Sequence, residues 1–197
     1  MFKKTLIASI LTLTATTGLA QIPEGSYKLD GAHSKVGFSI AHLVISTVEG
    51  RFNSYEGTIV IDKNIAKSSV EAKINVASID TGIKDRDDHL KSPDFFDAAK
   101  NPSITFKSKK VSLKDKELTV NGDLSIKGIT KAVTLKGKYL GAVKDGYGQE
   151  KVAFDLSTKI NRKDFGLTWS NVVEVGPVVG DEVEISLKVQ GTKEVKK

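Results

Sequence analysis

The sequence predicts an all-β domain of about eight antiparallel strands with one short helical insertion, and three observations carry that expectation. Apolar and polar residues alternate along most of the chain, the period of strands with one dry face and one wet face. Turn-forming residues interrupt the alternation at short intervals. One stretch, residues 78–106 (SIDTGIKDRDDHLKSPDFFDAAKNPSITF), breaks the period with a charged cluster followed by two adjacent phenylalanines. From these features alone the strands close either as a barrel or as a sandwich.

Residues 1–20 are expected to lie outside the fold. Lys3 and Lys4 form a basic start, Leu6 to Leu13 a short apolar run, and Gly18-Leu19-Ala20 a small-residue cleavage site. That is the pattern of a secretory signal peptide. A membrane span needs roughly 20 apolar residues, so this run is too short and the chain is not expected to span a membrane. The folded domain is then 21–197, an exported chain with no cysteine. Apolar burial and sheet hydrogen bonds must stabilise it, and thiol chemistry and cysteine-ligated metals are excluded. The net charge of +6 falls to +4 without Lys3 and Lys4. The excess is spread as lysines alternating along strands, which suits a solvated outer face. Nucleic acid would call for a clustered basic patch, so no nucleic-acid partner is expected.

The strands are read in order from their apolar positions. Val36, Phe38, Ile40 and His42 share a face in 34–43; Ile59 and Ile61 do so in 57–62, and Val70, Ala72, Ile74 and Val76 in 69–77. The pattern continues through Ile104 and Phe106; Leu118, Val120, Leu124 and Ile126; and Val133, Leu135 and Tyr139. It ends with Val152, Phe154, Leu156 and Ile160, then Val183, Ile185, Leu187 and Val189. Shorter strands are expected near Tyr27 and Arg51. Asp30-Gly31, Asn121-Gly122, Lys127-Gly128 and Asp145 to Gly148 fit turns or bulges. In the aperiodic stretch, Asp85 to Lys91 predicts a turn or two of helix. Ser92 reads as the N-cap of a following helical turn, with Pro93 at its first position, and Asn101-Pro102 as its stop. A barrel, unlike a filled sandwich, can hold a ligand. Strands of about ten residues at ~3.3 Å each would make an apolar tube ~30 Å long, a shape suited to a chain-like lipid.

Several pieces of the chain resemble the YceI-like family of periplasmic, lipocalin-like, isoprenoid-lipid-binding proteins. They are Tyr27 to Ser34, Val36-Gly-Phe38, His42-Leu43, Gly50-Arg-Phe52 and Gly57, then Ser78 to Thr81, Arg86 to Leu90 and Ser92 to Phe96. Asn101 to Phe106, Gly122 to Leu124, Lys127 to Thr130 and Asn161 to Leu167 complete the set in order. Each is weak alone; the ordered series is specific. The resemblance implies an eight-stranded lipocalin-like barrel whose tunnel holds a polyisoprenoid or similar long-chain amphiphile. It also implies a periplasmic location and, in many members, a homodimer.

The residues expected to meet such a ligand are Phe38, Ile40, His42, Ile74, Val76, Arg86, His89, Phe95, Phe96, Phe106, Leu124, Phe154, Phe165 and Trp169. His33, His42 and His89 are the chain's only histidines. Without cysteine or an HExxH spacing they read better as cavity-lining or satisfied polar groups than as a metal site, and no metal or cofactor is expected. Asp85, Arg86, Asp87, Asp88 and His89 read first as an Arg–carboxylate network anchoring the insertion. Headgroup contact is the second reading, general acid–base catalysis the third. No serine sits in a GxSxG elbow, so no hydrolase triad is assigned. Phe165 and Trp169 are expected to close part of the cavity, with Asn161 or Asn171 accepting from the indole N–H. Ten buried carbons at about 0.8 kcal/mol each give roughly 8 kcal/mol gross, comparable to micromolar affinity. The leading reading is a non-enzymatic lipid binder. The alternatives are an enzyme of envelope lipid metabolism using the Asp/His cluster, and an interaction module with a filled barrel.

Overall fold

The computed structural model of the chain describes residues 22–173 and 176–194. The expected signal peptide therefore lies outside the described residues. In chain order the strands are β1 (Gly25–Leu29), β2 (Lys35–His42), β3 (Ser46–Phe52), β4 (Tyr55–Ile61), β5 (Ser69–Asn75), β6 (Ile79–Asp80) and β7 (Ser103–Lys114). Then come β8 (Glu117–Ile126), β9 (Ile129–Lys144), β10 (Glu150–Asn161), β11 (Val172–Val173), β12 (Gly176–Pro177) and β13 (Val179–Lys193), and helix α1 (Lys84–Lys91) lies between β6 and β7.

The architecture is a closed antiparallel barrel of eight strands in the order β1-β4-β5-β7-β8-β9-β10-β13, sealed where β13 pairs back to β1 through Tyr27↔Lys193 and Leu29↔Gly191. Closure removes the unpaired edges that an open sheet would expose. The fold is thus the barrel, not the sandwich. At the other end β13 leaves β1 and pairs with β2, which pairs with β3, which pairs with β6 (Phe52↔Ile79). Strand β7 begins only at Ser103, opposite Asn75. No ladder joins β6 to β8 among the described residues, and residues 81–102 cross that gap.

The expected turns form where glycine and its neighbours permit them. Lys127 and Gly128 take φ of 52° and 75° between β8 and β9. Asn121-Gly122 is not a turn but sits inside β8, opposite a β-bulge at Ser108/Lys110 of β7. A Cβ on Gly122 would lie 2.5 Å from the Lys107 carbonyl oxygen, so the close approach of two strands explains this glycine. Helix α1 matches the expected one. Ser92, however, caps the end of α1 instead of starting another helix, its N–H donating to the His89 carbonyl. Its hydroxyl accepts from the Asp94 N–H at 3.3 Å, and the Phe95 and Asp97 N–H groups donate to its carbonyl. The capping chemistry is present, but the chain turns back at once to bring Phe95 and Phe96 under the barrel rim.

Inward positions are not equally packed. Tyr27, Tyr139 and Val152, at the end carrying the β9–β10 turn, are 0%, 4% and 1% exposed. Phe38, Ile40, Val183, Ile185 and Leu187, on the β2 and β13 segments of the opposite end, are half-buried although they face inward. The interior is dense at the first end and open toward the second, where the insertion lies.

Candidate functional site

The barrel interior contains a cavity of about 380 Å³ whose wall is almost wholly apolar. It runs from Ile61, Ile65, Val111 and Leu118 at the dense end to His42, Arg86, Trp169 and Val178 at the open end. Its volume lies in the range of small-molecule sites, and its chemistry is that of a hydrocarbon.

Most of the residues expected from sequence line this wall. Phe38, Ile40 and His42 come from β2, Ile74 from β5, Phe106 from β7, Leu124 from β8 and Phe154 from β10. Period 2 places each of them inward. Arg86 and His89 come from α1, Phe95 and Phe96 from the connection between α1 and β7, and Trp169 from the segment between β10 and β11. Two expectations are corrected. Val76 is 1% exposed and not part of the wall, because the chain leaves β5 at this residue for a single 3₁₀ turn, Val76–Ser78, which breaks the alternation. Phe165 is 2% exposed and also behind the wall, at the end of another 3₁₀ turn, Arg162–Phe165. Both pack in the core instead of facing the void.

Helix α1 presents Arg86, His89 and Leu90 to the cavity, spaced i, i+3 and i+4 as one helical face. The His89 ring meets Phe95 and Trp169 edge-on, at 5.1 Å to each, and Phe95 and Trp169 are 5.1 Å apart. This triangle of rings braces the insertion against the segment after β10. Phe96 packs edge-on against Phe52 at 6.2 Å, tying the same insertion to β3. Trp169 has no hydrogen bond to Asn161 or Asn171 among the described residues; the Asn161 side-chain Oδ1 accepts from the Lys163 N–H instead.

The charged cluster is wired differently from the expected Arg–carboxylate network. Arg86 donates through Nε to the Thr81 hydroxyl at 2.7 Å and through Nη2 to the Thr81 carbonyl at 2.8 Å. Asp87 accepts from the Thr81 N–H and hydroxyl at 2.9 and 2.6 Å. Thr81 therefore stands between the two charges. Asp88 pairs with Lys84 and Lys91 on the helix surface, and hydrogen bonding to those ammonium groups holds its carboxyl below the usual range. His89 Nε2 lies 2.9 Å from Asp94 Oδ2. The three histidines are dispersed: His33 pairs with Asp30, His42 lies 3.4 Å from the Ser46 hydroxyl, and His89 is on α1.

Arg162 was not anticipated as a site residue. It lines the cavity at the open end yet is 3% exposed. Its guanidinium reaches the carbonyls of Gly180 (2.7 Å), Leu167 (2.5 Å), Trp169 (2.7 Å) and Val179 (3.4 Å), and Asp181 Oδ1 at 3.3 Å. Burial lowers its pKa from the ordinary value, opposed by the nearby Asp181 charge. The side chain staples the segment after β10 to the start of β13. The sequence signal was the NRKDFG run, in which a charged residue follows an inward-facing Ile160.

Residues 27–191 match the family model described as the YceI-like domain. The chain is 38% identical over 197 residues to a UPF0312 protein of Pseudomonas paraeruginosa, an alignment covering 98% of this chain and 100% of that one. It is 37% identical over 194 residues to Protein YceI of Salmonella newport, covering 98% and 99% of the two chains. Among solved structures, BcnA of Burkholderia cenocepacia superposes with a TM-score of 0.71 at 28% identity, over 82% of this chain and 98% of that one. A polyisoprenoid binding domain from Saccharophagus degradans superposes with a TM-score of 0.65 at 15% identity, over 85% and 98%, a likeness of fold.

Proposed function

The chain belongs to the YceI-like family, and on that premise we propose that it is a non-enzymatic carrier or sequestering protein for a long-chain amphiphile such as a polyisoprenoid, acting in the periplasm. The observation that carries the reading is the 380 Å³ cavity with its apolar wall, built from inward side chains around the barrel. A polar metabolite would lose its hydration there without replacement hydrogen bonds, whereas a hydrocarbon tail gains about 0.8 kcal/mol for each buried methylene. The fold shared with a polyisoprenoid-binding domain supports the same ligand class. The N-terminal leader pattern supports export.

The state of the acidic cluster favours binding over catalysis. Asp87 is held by Thr81 and Asp88 by two lysines, and the cluster contributes Arg86 and His89 to the cavity wall. The homodimer implied by the family is part of the proposal, tested by light scattering on the purified chain; a mass of one chain refutes it.

The decisive experiment is mass spectrometry of an organic extract from gently purified protein, followed by reconstitution with an isoprenoid quinone or alcohol. A stoichiometric long-chain amphiphile is expected. Its absence together with failed reconstitution overturns the reading. Turnover of a bound lipid that Asp87→Asn or His89→Ala abolishes would establish the enzyme instead.

A further inference from the structure

We propose that Ile22 is a specificity-determining residue for tail length: the segment before β1 folds it into the base of the barrel, where it stops the cavity and sets how long a tail fits. This rests on the lipid-binding reading above and adds a limit at the closed end, opposite the insertion.

The strands alone do not close the base. Strand β1 begins at Gly25, paired with Ile61, and there the backbone takes a φ of 147° that a side chain would strain. Upstream of that bend the Pro23 carbonyl lies 2.9 Å from the Tyr27 hydroxyl. Tyr27 belongs to the core and is 0% exposed, so a contact with the tip of its ring puts residue 23 beneath the barrel and not along its outer wall. Ile22 is carried against the interior with it. It lines the cavity and packs on the core although it lies before the first strand.

The other half of the floor is the connection between β4 and β5. Ile65, on the 3₁₀ turn Ile65–Lys67, lines the same cavity. That turn is well tied. The Asp62 N–H donates to the Ser68 hydroxyl at 3.0 Å, the Asn64 N–H to Asp62 Oδ1 at 2.8 Å, and the Ala66 N–H to Asn64 Oδ1 at 3.2 Å. Ile61, Val111 and Leu118 stand around this end of the cavity, surroundings that suit the end of a tail and no polar head.

The two halves differ in how they are held. The Tyr27 hydroxyl has one proton and two acceptors, Pro23 at 2.9 Å and Glu150 Oε1 at 2.5 Å. The shorter bond goes to Glu150, and no other hydrogen bond ties residues 22–24 among the described residues. Ile22 is thus held mainly by apolar packing, and its bulk is what a tail meets. The family match begins at Tyr27, so Ile22 lies outside it. Each further buried methylene favours binding, so affinity should climb with tail length until the tail reaches Ile22 and then stop, because a longer tail has to overpack the dense end.

The test is a length series. Phosphatidylcholine vesicles carry equal amounts of farnesol, geranylgeraniol, geranylfarnesol and solanesol, which differ only in the number of isoprene units. Delipidated native, Ile22→Ala and Ile22→Phe chains are equilibrated with the same vesicles, and mass spectrometry counts the prenols bound. Dividing variant by native cancels each prenol's own tendency to stay in the vesicle. Ile22→Ala should enrich the longer prenols over farnesol at least about fivefold, and Ile22→Phe should deplete them by a similar factor, because the space left to the tail changes in opposite directions. Identical length distributions in all three chains overturn the proposal, as does a shift of both variants in the same direction. An equal loss of loading at every length also overturns it, since Ile22 would then only pack the core. No prenol on the native chain sinks the carrier reading instead, a result that needs no variant to recognise.

Discussion

Replacing Arg162 by methionine should destabilise the barrel by about 4 kcal/mol, the cost expected when one partner of a buried charged hydrogen-bond set is removed. The reasoning starts from geometry. Three contacts, to Gly180, Leu167 and Trp169, are 2.7 Å or shorter, and at least about 1.5 kcal/mol attaches to each bond with a charged donor. Methionine keeps much of the apolar stem, so the loss isolates the polar part. At 3% exposure, water cannot step in for the guanidinium without opening the segment. For a domain of this size the loss corresponds to a fall in Tm of roughly 8–16 °C. Urea unfolding followed by circular dichroism gives the free energy, and Trp169 emission reports the stapled segment, since its own carbonyl is one of the acceptors. A loss below about 1 kcal/mol with unchanged Trp169 emission would refute the argument, because uncompensated buried carbonyls cannot be that cheap.

Three further outcomes follow from other parts of the barrel. Ile74→Arg places a charge in the wall between Tyr55 and Ile104, its register partners, and native mass spectrometry should show lipid loading reduced at least tenfold; full loading of the folded variant would mean the tail does not pass β5. Gly137→Ala should cost about 3 kcal/mol or prevent folding, since overpacking has nowhere to relax when the new Cβ falls 1.9 Å from the Asp155 carbonyl oxygen; an unchanged thermal midpoint would refute it. Tyr27→Phe tests a pH linkage. The Tyr27 hydroxyl, donating to Glu150, holds that carboxyl below its usual 4.5, with Lys193 adding to the effect and burial opposing it. A depressed carboxyl pKa stabilises the fold above the unfolded value and loses that contribution as pH falls through the folded value. The stability gap between the native chain and Tyr27→Phe should therefore narrow as pH drops below 4.5. A gap constant with pH would assign the cost of the variant to packing alone.

The strand faces were legible because period 2 is a property of the backbone and every inward position repeats it. Phe38, Ile40, His42, Ile74, Phe106, Leu124 and Phe154 all follow from counting along strands, and all line the cavity. Counting fails where the backbone leaves the strand. Val76 continues the alternation of Val70, Ala72 and Ile74 on paper, but the 3₁₀ turn rotates it into the core. Phe165 is lost for the same reason. The partners of Arg86 were misread because composition suggested carboxylates, while a threonine five residues earlier was the local acceptor. Arg162 was overlooked because arginine is rarely buried, and nothing in a sequence announces a ring of carbonyls waiting for it.

What turns a simple barrel into a container is that three adjacent strands break at one level. The long strand 25–42 is interrupted at 30–34, its neighbour 46–61 at Asn53-Ser54, and the next, 69–80, at the turn Val76–Ser78. The breaks satisfy one another. Tyr55 donates its hydroxyl to the Ser34 carbonyl at 2.5 Å, the Asn75 N–H donates to Ser54, the Asn53 N–H to Ser78, and the Ser54 N–H to the Ser78 hydroxyl. Val76 donates across to the Pro102 carbonyl, where the insertion returns to β7. An interrupted ladder would normally leave buried backbone groups without partners. Here serines, asparagine and tyrosine at the breaks supply them, so the wall can flare without losing closure. No ladder joins β6 to β8 among the described residues, residues 81–102 cross that gap, and they bring Arg86 and His89 to the cavity wall. The polar residues of the breaks and the apolar residues of the wall thus serve one arrangement: a barrel dense at one end and open at the other.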